Sequence, residues 1–149
     1  MIFTVNFFNT GSLSAEDIQA LEKSITATLD SMAFHRDGTV NLRITDIPEI
    51  RSYNRQYFGR DRETDVICFP FHEEDSEEGC FILGDVLICD EVARKEARSR
   101  NVSVTSELCL YAVHGTLHLI GYEDDTEEKR AEMFRLQEKI LSKAQMYDH

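Results

Sequence analysis

Residues Ser103–Ile120 form the most apolar long segment of this chain, carrying Val104, Leu108, Leu110, Tyr111, Val113, Leu117, Leu119 and Ile120. At helical spacing these side chains fall on most sides of the segment. A helix apolar nearly all round must be covered nearly all round, so the rest of the chain has to wrap it. A chain of 149 residues can do so within one domain. At this length roughly 68–70% of the unfolded surface can be buried, and neither a disulfide nor a structural metal is needed to fold.

The remaining elements follow from local signals, and one domain is predicted over residues 1–149. Ile2–Phe8 is rich in β-formers and reads as a strand. Ser14-Ala15-Glu16-Asp17 opens a helix whose apolar residues Ile18, Leu21, Ile25, Leu29 and Met32 keep helical spacing to Phe34. Gly38 turns the chain into the alternating strand Val40–Ile44. Asp46 and Glu49 start a helix to about Phe58, with Pro48 in the tolerant first turn. Thr64–Phe71 and Phe81–Ile88 read as two further strands. The acidic run from His72 to Glu78 between them reads as a solvated loop. Helices are expected from Asp90, through Ser103–Ile120, and after a capping pattern at Asp125 and Glu128. The order β-α-β-α-β-β-α-α-α predicts an α+β domain, a mixed four-stranded sheet packed with about five helices.

The central helix also carries the chemistry. His114 and His118 stand four residues apart, on one helix face. Gly121 follows three residues later, where a glycine lets the chain leave the helix abruptly, and Asp124 three residues after that can fold back toward the histidines. His114-x-x-x-His118-x-x-Gly121-x-x-Asp124 offers two neutral nitrogens and one carboxylate to a single ion. Three protein ligands with an open fourth position is the layout of a catalytic zinc. Taken alone, the pair also reads as two satisfied core histidines. Metzincin proteases share the spacing but carry a glutamate general base directly after the first histidine. Here that position is Gly115, which removes the proton acceptor of peptide hydrolysis. Two histidines and a carboxylate also make the facial triad of non-heme iron oxygenases, but helical His-x-x-x-His spacing fits that triad poorly. No separate general base stands out; the candidates are Asp85 and Glu123. Asp85 ends a short turn and is placed to orient a metal-bound histidine.

Charge narrows the partners. A formal charge of −12 argues against a general nucleic-acid coating protein, without excluding a local basic strip. One such strip exists: four arginines against Asp61 give residues 51–62 a local charge of +3, with Tyr53, Tyr57 and Phe58 interleaved. Guanidinium groups hold phosphates while rings stack bases, so Arg55, Arg60 and Arg62 are candidate contacts to single-stranded RNA. The strip Arg94-Lys95-Arg98-Arg100 reads instead as an exposed helix face. Cys68, Cys80, Cys89 and Cys109 show no C-x-x-C spacing and read as reduced structural thiols. No apolar run approaches the ~20 residues of a membrane span, and residues 1–6 contain no basic lead into a signal core, so a cytoplasmic location is expected.

His114-Gly-x-Leu-His-Leu-x-Gly-Tyr122 resembles the signature of the YbeY family of bacterial endoribonucleases, the rRNA maturation factors. Two weaker blocks agree in order: Asn54-Arg55-Gln56-Tyr57 leading to Thr64-Asp65-Val66-Ile67-Cys68-Phe69-Pro70, and Leu83-Gly84-Asp85-Val86-Leu87-Ile88. The resemblance implies a zinc-dependent, single-strand-specific endoribonuclease of small-subunit rRNA maturation and ribosome quality control. It implies one zinc per chain, and ribosomal RNA and small-subunit ribosomal proteins as partners. It carries the metal role to His114 and His118. The family's third ligand is usually histidine; here Asp124 stands there, an acceptable zinc donor whose charge weakens the ion as a Lewis acid. A family arginine after the aromatic of the second block is replaced by Phe58. Two other readings remain: a non-catalytic, metal-stabilised ribosome assembly factor, and a metallohydrolase with another substrate.

Overall fold

The computed structural model describes residues 2–34, 36–75 and 80–144. Nine elements follow one another: β1 (Phe3–Phe8), α1 (Ala15–Ser31), β2 (Gly38–Thr45), α2 (Ile47–Phe58), β3 (Val66–Asp75), β4 (Cys80–Cys89), α3 (Asp90–Arg100), α4 (Val104–Leu119) and α5 (Glu127–Lys143). The expected α+β order holds throughout. Boundaries follow local chemistry. The Ser14 hydroxyl accepts from the Asp17 amide while the Asp17 carboxylate accepts from the Ser14 amide, a reciprocal cap for α1. Asp46 caps α2, and Gly59, at φ +69°, ends it. The α5 cap differs from expectation: Thr126, not Asp125, accepts from the Lys129 amide.

The strands form one mixed sheet in the order β1-β2-β4-β3, with β1, β2 and β4 parallel and β3 antiparallel to β4. β3 runs on to Asp75, where the acidic run was expected to be loop; pairing with β4 through Glu73, Glu74 and Asp75 accounts for the extension. Residues 76–79 of that run lie outside the described residues. Pro70, which has no amide to donate, sits on this edge strand, opposite Gly84.

Alternation along β4 separates two faces. Val86 and Ile88 pack into the main core with α1 and α4, while Leu87 and Cys89 join Ile50 of α2 and Ile67 of β3. A third cluster places α4 against α5 through Cys109, Val113, Leu117, Met133, Ile140 and Leu141. α4 is therefore enclosed by the sheet, α1 and α5, as its all-round apolarity required. Each fully buried leucine, such as Leu108, Leu117 and Leu119, contributes about 1.5–3 kcal/mol. Gly115 is the point of closest approach to the sheet: a Cβ there would meet Val86 Cγ1 at 2.8 Å and Cys68 Sγ at 3.1 Å. Cys68, Cys89 and Cys109 form no disulfide among the described residues; the side chain of Cys80 lies outside the described residues. Among the described residues, no helix is long and apolar enough to cross a membrane.

Candidate metal centre and its cleft

The Ser103 hydroxyl caps α4 by accepting from the Ser106 amide. The helix delivers His114 and His118 side by side near its C-terminus, ring centroids 4.6 Å apart and nearly perpendicular. The chain then reverses. The Gly121 amide donates to His118 O and the Tyr122 amide to Leu117 O, with Gly121 at φ +106°, a conformation that favours glycine. The reversal brings Asp124 Oδ2 to 3.5 Å from Nε2 of both histidines. The Arg130 guanidinium, on α5, donates to Asp124 O and holds the returning loop.

The far side of each ring fixes its tautomer. His114 Nδ1 lies 2.5 Å from Oε1 of the buried Gln137 of α5, and His118 Nδ1 lies 2.8 Å from Tyr122 O. Both partners are acceptors, so both Nδ1 atoms carry the proton and both Nε2 atoms present lone pairs. Those lone pairs face each other across 3.0 Å with a carboxylate oxygen nearby. Three electron donors so close repel unless a cation or shared proton lies among them. Zinc bonds of about 2.0–2.1 Å at tetrahedral angles set donor spacings of roughly 3.3 Å, and the observed 3.0, 3.5 and 3.5 Å bracket that value. His114, His118 and Asp124 thus fit one metal ion, and they stay partly accessible, at 26%, 25% and 44% exposure.

The three residues line an open cleft of about 620 Å³, together with Arg60, Arg62, Asp65 and Cys68. Arg60 and Arg62 reach it because Asn54, buried in α2, anchors their loop: its Nδ2 donates to Arg62 O, and its carbonyl accepts from the Arg60 amide. Arg55 does not line the cleft. It lies on the outer side of α2, 3.9 Å from Asp61, which also pairs with Arg51 at 2.9 Å. Phe58 lines the cleft as well. Burial, with the carboxylates of Asp65 and Asp124 nearby, pushes the Cys68 thiol up to about 12, so it stays protonated at neutral pH.

The two further candidates fare differently. Glu123 lines the cleft, but its carboxylate pairs with Lys129 at 3.0 Å. Asp85 does not orient a histidine. It points to the other sheet face, where it accepts from Asn41, because alternation puts it opposite Val86. The orienting groups are Gln137 and the Tyr122 carbonyl. Gln137 was detectable as the one polar residue among Met133, Ile140 and Leu141 on the buried face of α5. Two of the four basic residues of α3 pair within the fold, Arg94 with Asp90 at 2.8 Å and Arg100 with the buried Glu107 at 2.6 Å.

Known proteins resemble this chain over nearly its full length. A Staphylococcus saprophyticus protein named endoribonuclease YbeY is 33% identical over 146 residues, covering 95% of both chains. One from Geobacillus kaustophilus, of the same name, is 36% identical over 154 residues, covering 96% of this chain and 97% of its own. A solution structure from Thermotoga maritima superposes with a TM-score of 0.65 at 28% identity, covering 94% of this chain and 88% of that one. The family description "Endoribonuclease YbeY" matches residues 6–145, a span that takes in β2 to β4, the cleft and all three convergent donors. On that match, this chain belongs to the YbeY endoribonuclease family.

Proposed function

We propose that this protein is a zinc-dependent endoribonuclease that cleaves single-stranded RNA in small-subunit rRNA maturation and ribosome quality control. The observation that carries the metal reading is the pair of lone-pair-bearing Nε2 atoms 3.0 Å apart beside Asp124. Family membership supports RNA as substrate, and the family resemblance supports the ribosomal setting. A bound zinc ion supplies Lewis-acid polarisation of the phosphoryl group and activation of water. The chain does the rest. Gln137 and the Tyr122 carbonyl keep both Nδ1 atoms protonated, so both Nε2 atoms are free to ligate. Arg60 and Arg62 sit on the cleft wall to hold the flanking phosphates. Lys129 neutralises Glu123 and keeps that carboxylate from repelling the strand.

Removal of the metal tests the reading. A labelled single-stranded RNA is expected to be cut by the zinc-loaded chain, left intact after dialysis against chelator, and cut again when zinc is returned. The same sequence annealed into a duplex is expected to resist. Cleavage that survives chelation would overturn zinc dependence. Gln137 gives a finer test. Gln137→Leu keeps the buried shape of α5 but removes the acceptor behind His114. Zinc affinity is expected to fall about 10–100-fold, measured by competition with a chromogenic chelator, while the helical circular dichroism stays unchanged.

A further inference from the structure

Among the described residues, three carboxylates line the metal cleft: Asp65, Glu123 and Asp124. Asp124 is a metal donor, and Glu123 is neutralised by Lys129 at 3.0 Å. Asp65 has neither use. Arg60 and Arg62 line the same cleft, but no ion pair joins either to Asp65 among the described residues. The residue is nevertheless held firmly. The Cys89 amide, at the end of β4, donates to Asp65 O at 3.0 Å. The Val66 amide donates to Asp65 Oδ1 at 2.7 Å, and the Thr64 hydroxyl reaches the same oxygen at 3.5 Å. One carboxylate oxygen thus fixes the side chain, and Oδ2 takes no hydrogen bond from the described residues.

The packing sets Asp65 beside the first histidine. Its neighbour Val66 and the nearby Cys68 both lie against Gly115, the residue after His114. Their Cγ2 and Sγ atoms stand 3.4 and 3.1 Å from where a Cβ on Gly115 would be. Hydrolysis of a phosphodiester needs a proton acceptor as the water oxygen bonds to phosphorus. The other groups of the cleft are spoken for. Both histidine Nδ1 atoms carry protons and both Nε2 atoms face the ion. The arginines stay charged. Cys68 stays protonated, through burial and then through Asp65 and Asp124 nearby. On the inner side, burial pushes the Tyr111 hydroxyl up, with Asp65 and Glu107 adding to the effect, so it too stays neutral.

From this we infer that Asp65 is the general base of RNA hydrolysis in the His114–His118 cleft. The inference rests on the endoribonuclease reading and adds to it the proton acceptor. The Asp65 carboxylate takes one proton from the attacking water as the water oxygen bonds to phosphorus. The P–O3′ bond breaks, its electron pair leaves with O3′, and that oxygen takes a proton from solvent. One product ends in a 3′-hydroxyl and the other begins with a 5′-phosphate. Asp65 then returns its proton to solvent.

The test compares Asp65→Asn and Asp65→Ala with the wild-type chain on a labelled single-stranded RNA. Asp65→Asn keeps the oxygen that the Val66 amide uses and removes the base. Its kcat is expected to fall about 10²–10⁴-fold with KM unchanged. Elemental analysis should find its zinc content at the wild-type level. In the metal-free protein, fluorescence anisotropy should find the uncut RNA bound as tightly as by wild type or tighter, because a negative charge has left the cleft. Sodium formate, a small carboxylate, should speed Asp65→Ala and leave Asp65→Asn unchanged. Wild-type kcat in Asp65→Asn overturns the inference, as does a loss of zinc or of helical circular dichroism that accompanies the fall in rate. A defect in a folded Asp65→Ala that formate does not relieve, or wild-type products ending in a 2′,3′-cyclic phosphate, overturns it too. If the wild-type chain cuts the RNA in any of these cases, the nuclease reading stands alone; if it does not cut RNA, both fall.

Discussion

His118→Ala is expected to take bound zinc from near one ion per chain to a trace, and RNA cleavage with it. Removing one of three donors leaves His114 Nε2 and Asp124 Oδ2, 3.5 Å apart, as the only pair on the ion. Two ligands cannot complete the three-donor set of a catalytic zinc site. The fold has little reason to fail. His118 is a quarter exposed, and beyond the metal donors its ring bonds to Tyr122 O on the turn after α4. Removing the imidazole also relieves the crowding of lone pairs across 3.0 Å, so the metal-free variant is expected to melt no lower than the metal-free wild type. Elemental analysis of tag-free protein checks the stoichiometry, and thermal melts of both apo forms check the fold. A full complement of zinc in His118→Ala would remove the site from this helix. Asp124→Ala is expected to lose metal less completely, since the two nitrogens remain and water can take the place of an exposed carboxylate.

Much of this site was legible because it is local. The spacing from His114 to Asp124 fixes a helix face, a glycine reversal and a returning acid, and Gly121 at φ +106° with its backbone bonds to His118 and Leu117 provides that reversal. The identity of Gly115 was legible as the loss of a general base; its cause was not. That cause is the sheet, 2.8 Å from where a Cβ would stand. A glutamate following His114 would be driven into Val86, so close packing and the metzincin base exclude each other here. The support of the site was hidden for a similar reason. Gln137 is 23 residues from His114 and meets it only because α5 folds back over α4. Asp85 was misassigned because a turn residue on a strand can face either side of a sheet until its register is known, and pairing with Asn41 and Phe69 puts it on the face of α2. Arg55, Arg60 and Arg62 look alike in sequence. Only the two that follow the Gly59 turn reach the cleft, carried there by the Asn54 anchor.

Gly84→Ala is expected to be the most damaging single-methyl change in the sheet. Gly84 sits at φ +149°, where the β2–β4 register shifts past Leu83 and where Pro70 lies opposite on the edge strand. A Cβ there would stand 2.1 Å from the Phe69 carbonyl oxygen and 2.9 Å from Pro70 Cα. Both are backbone atoms of a paired strand, so no rotamer change relieves the clash. Backbone strain of about 1–3 kcal/mol and overpacking of about 1–3 kcal/mol act together. At roughly 2–4 °C per kcal/mol for a chain of this size, the melting temperature should fall by about 10 °C. Gly121→Ala provides the contrast: φ is also positive, but no atom lies within 4 Å of the new methyl, so only the smaller strain cost of about 1 kcal/mol applies. The same Cβ on residue 84 would come within 3.0 Å of Leu119 Cδ2, in the last turn of α4, one residue past His118. Crowding there pushes the edge strand away from β4 and the end of α4 away from the sheet. Gly84→Ala should therefore weaken zinc binding as well as stability, although residue 84 is no ligand. A melting temperature within 2 °C of wild type would show that β3 can slide at Pro70, and that the glycine is not required by the strand pairing.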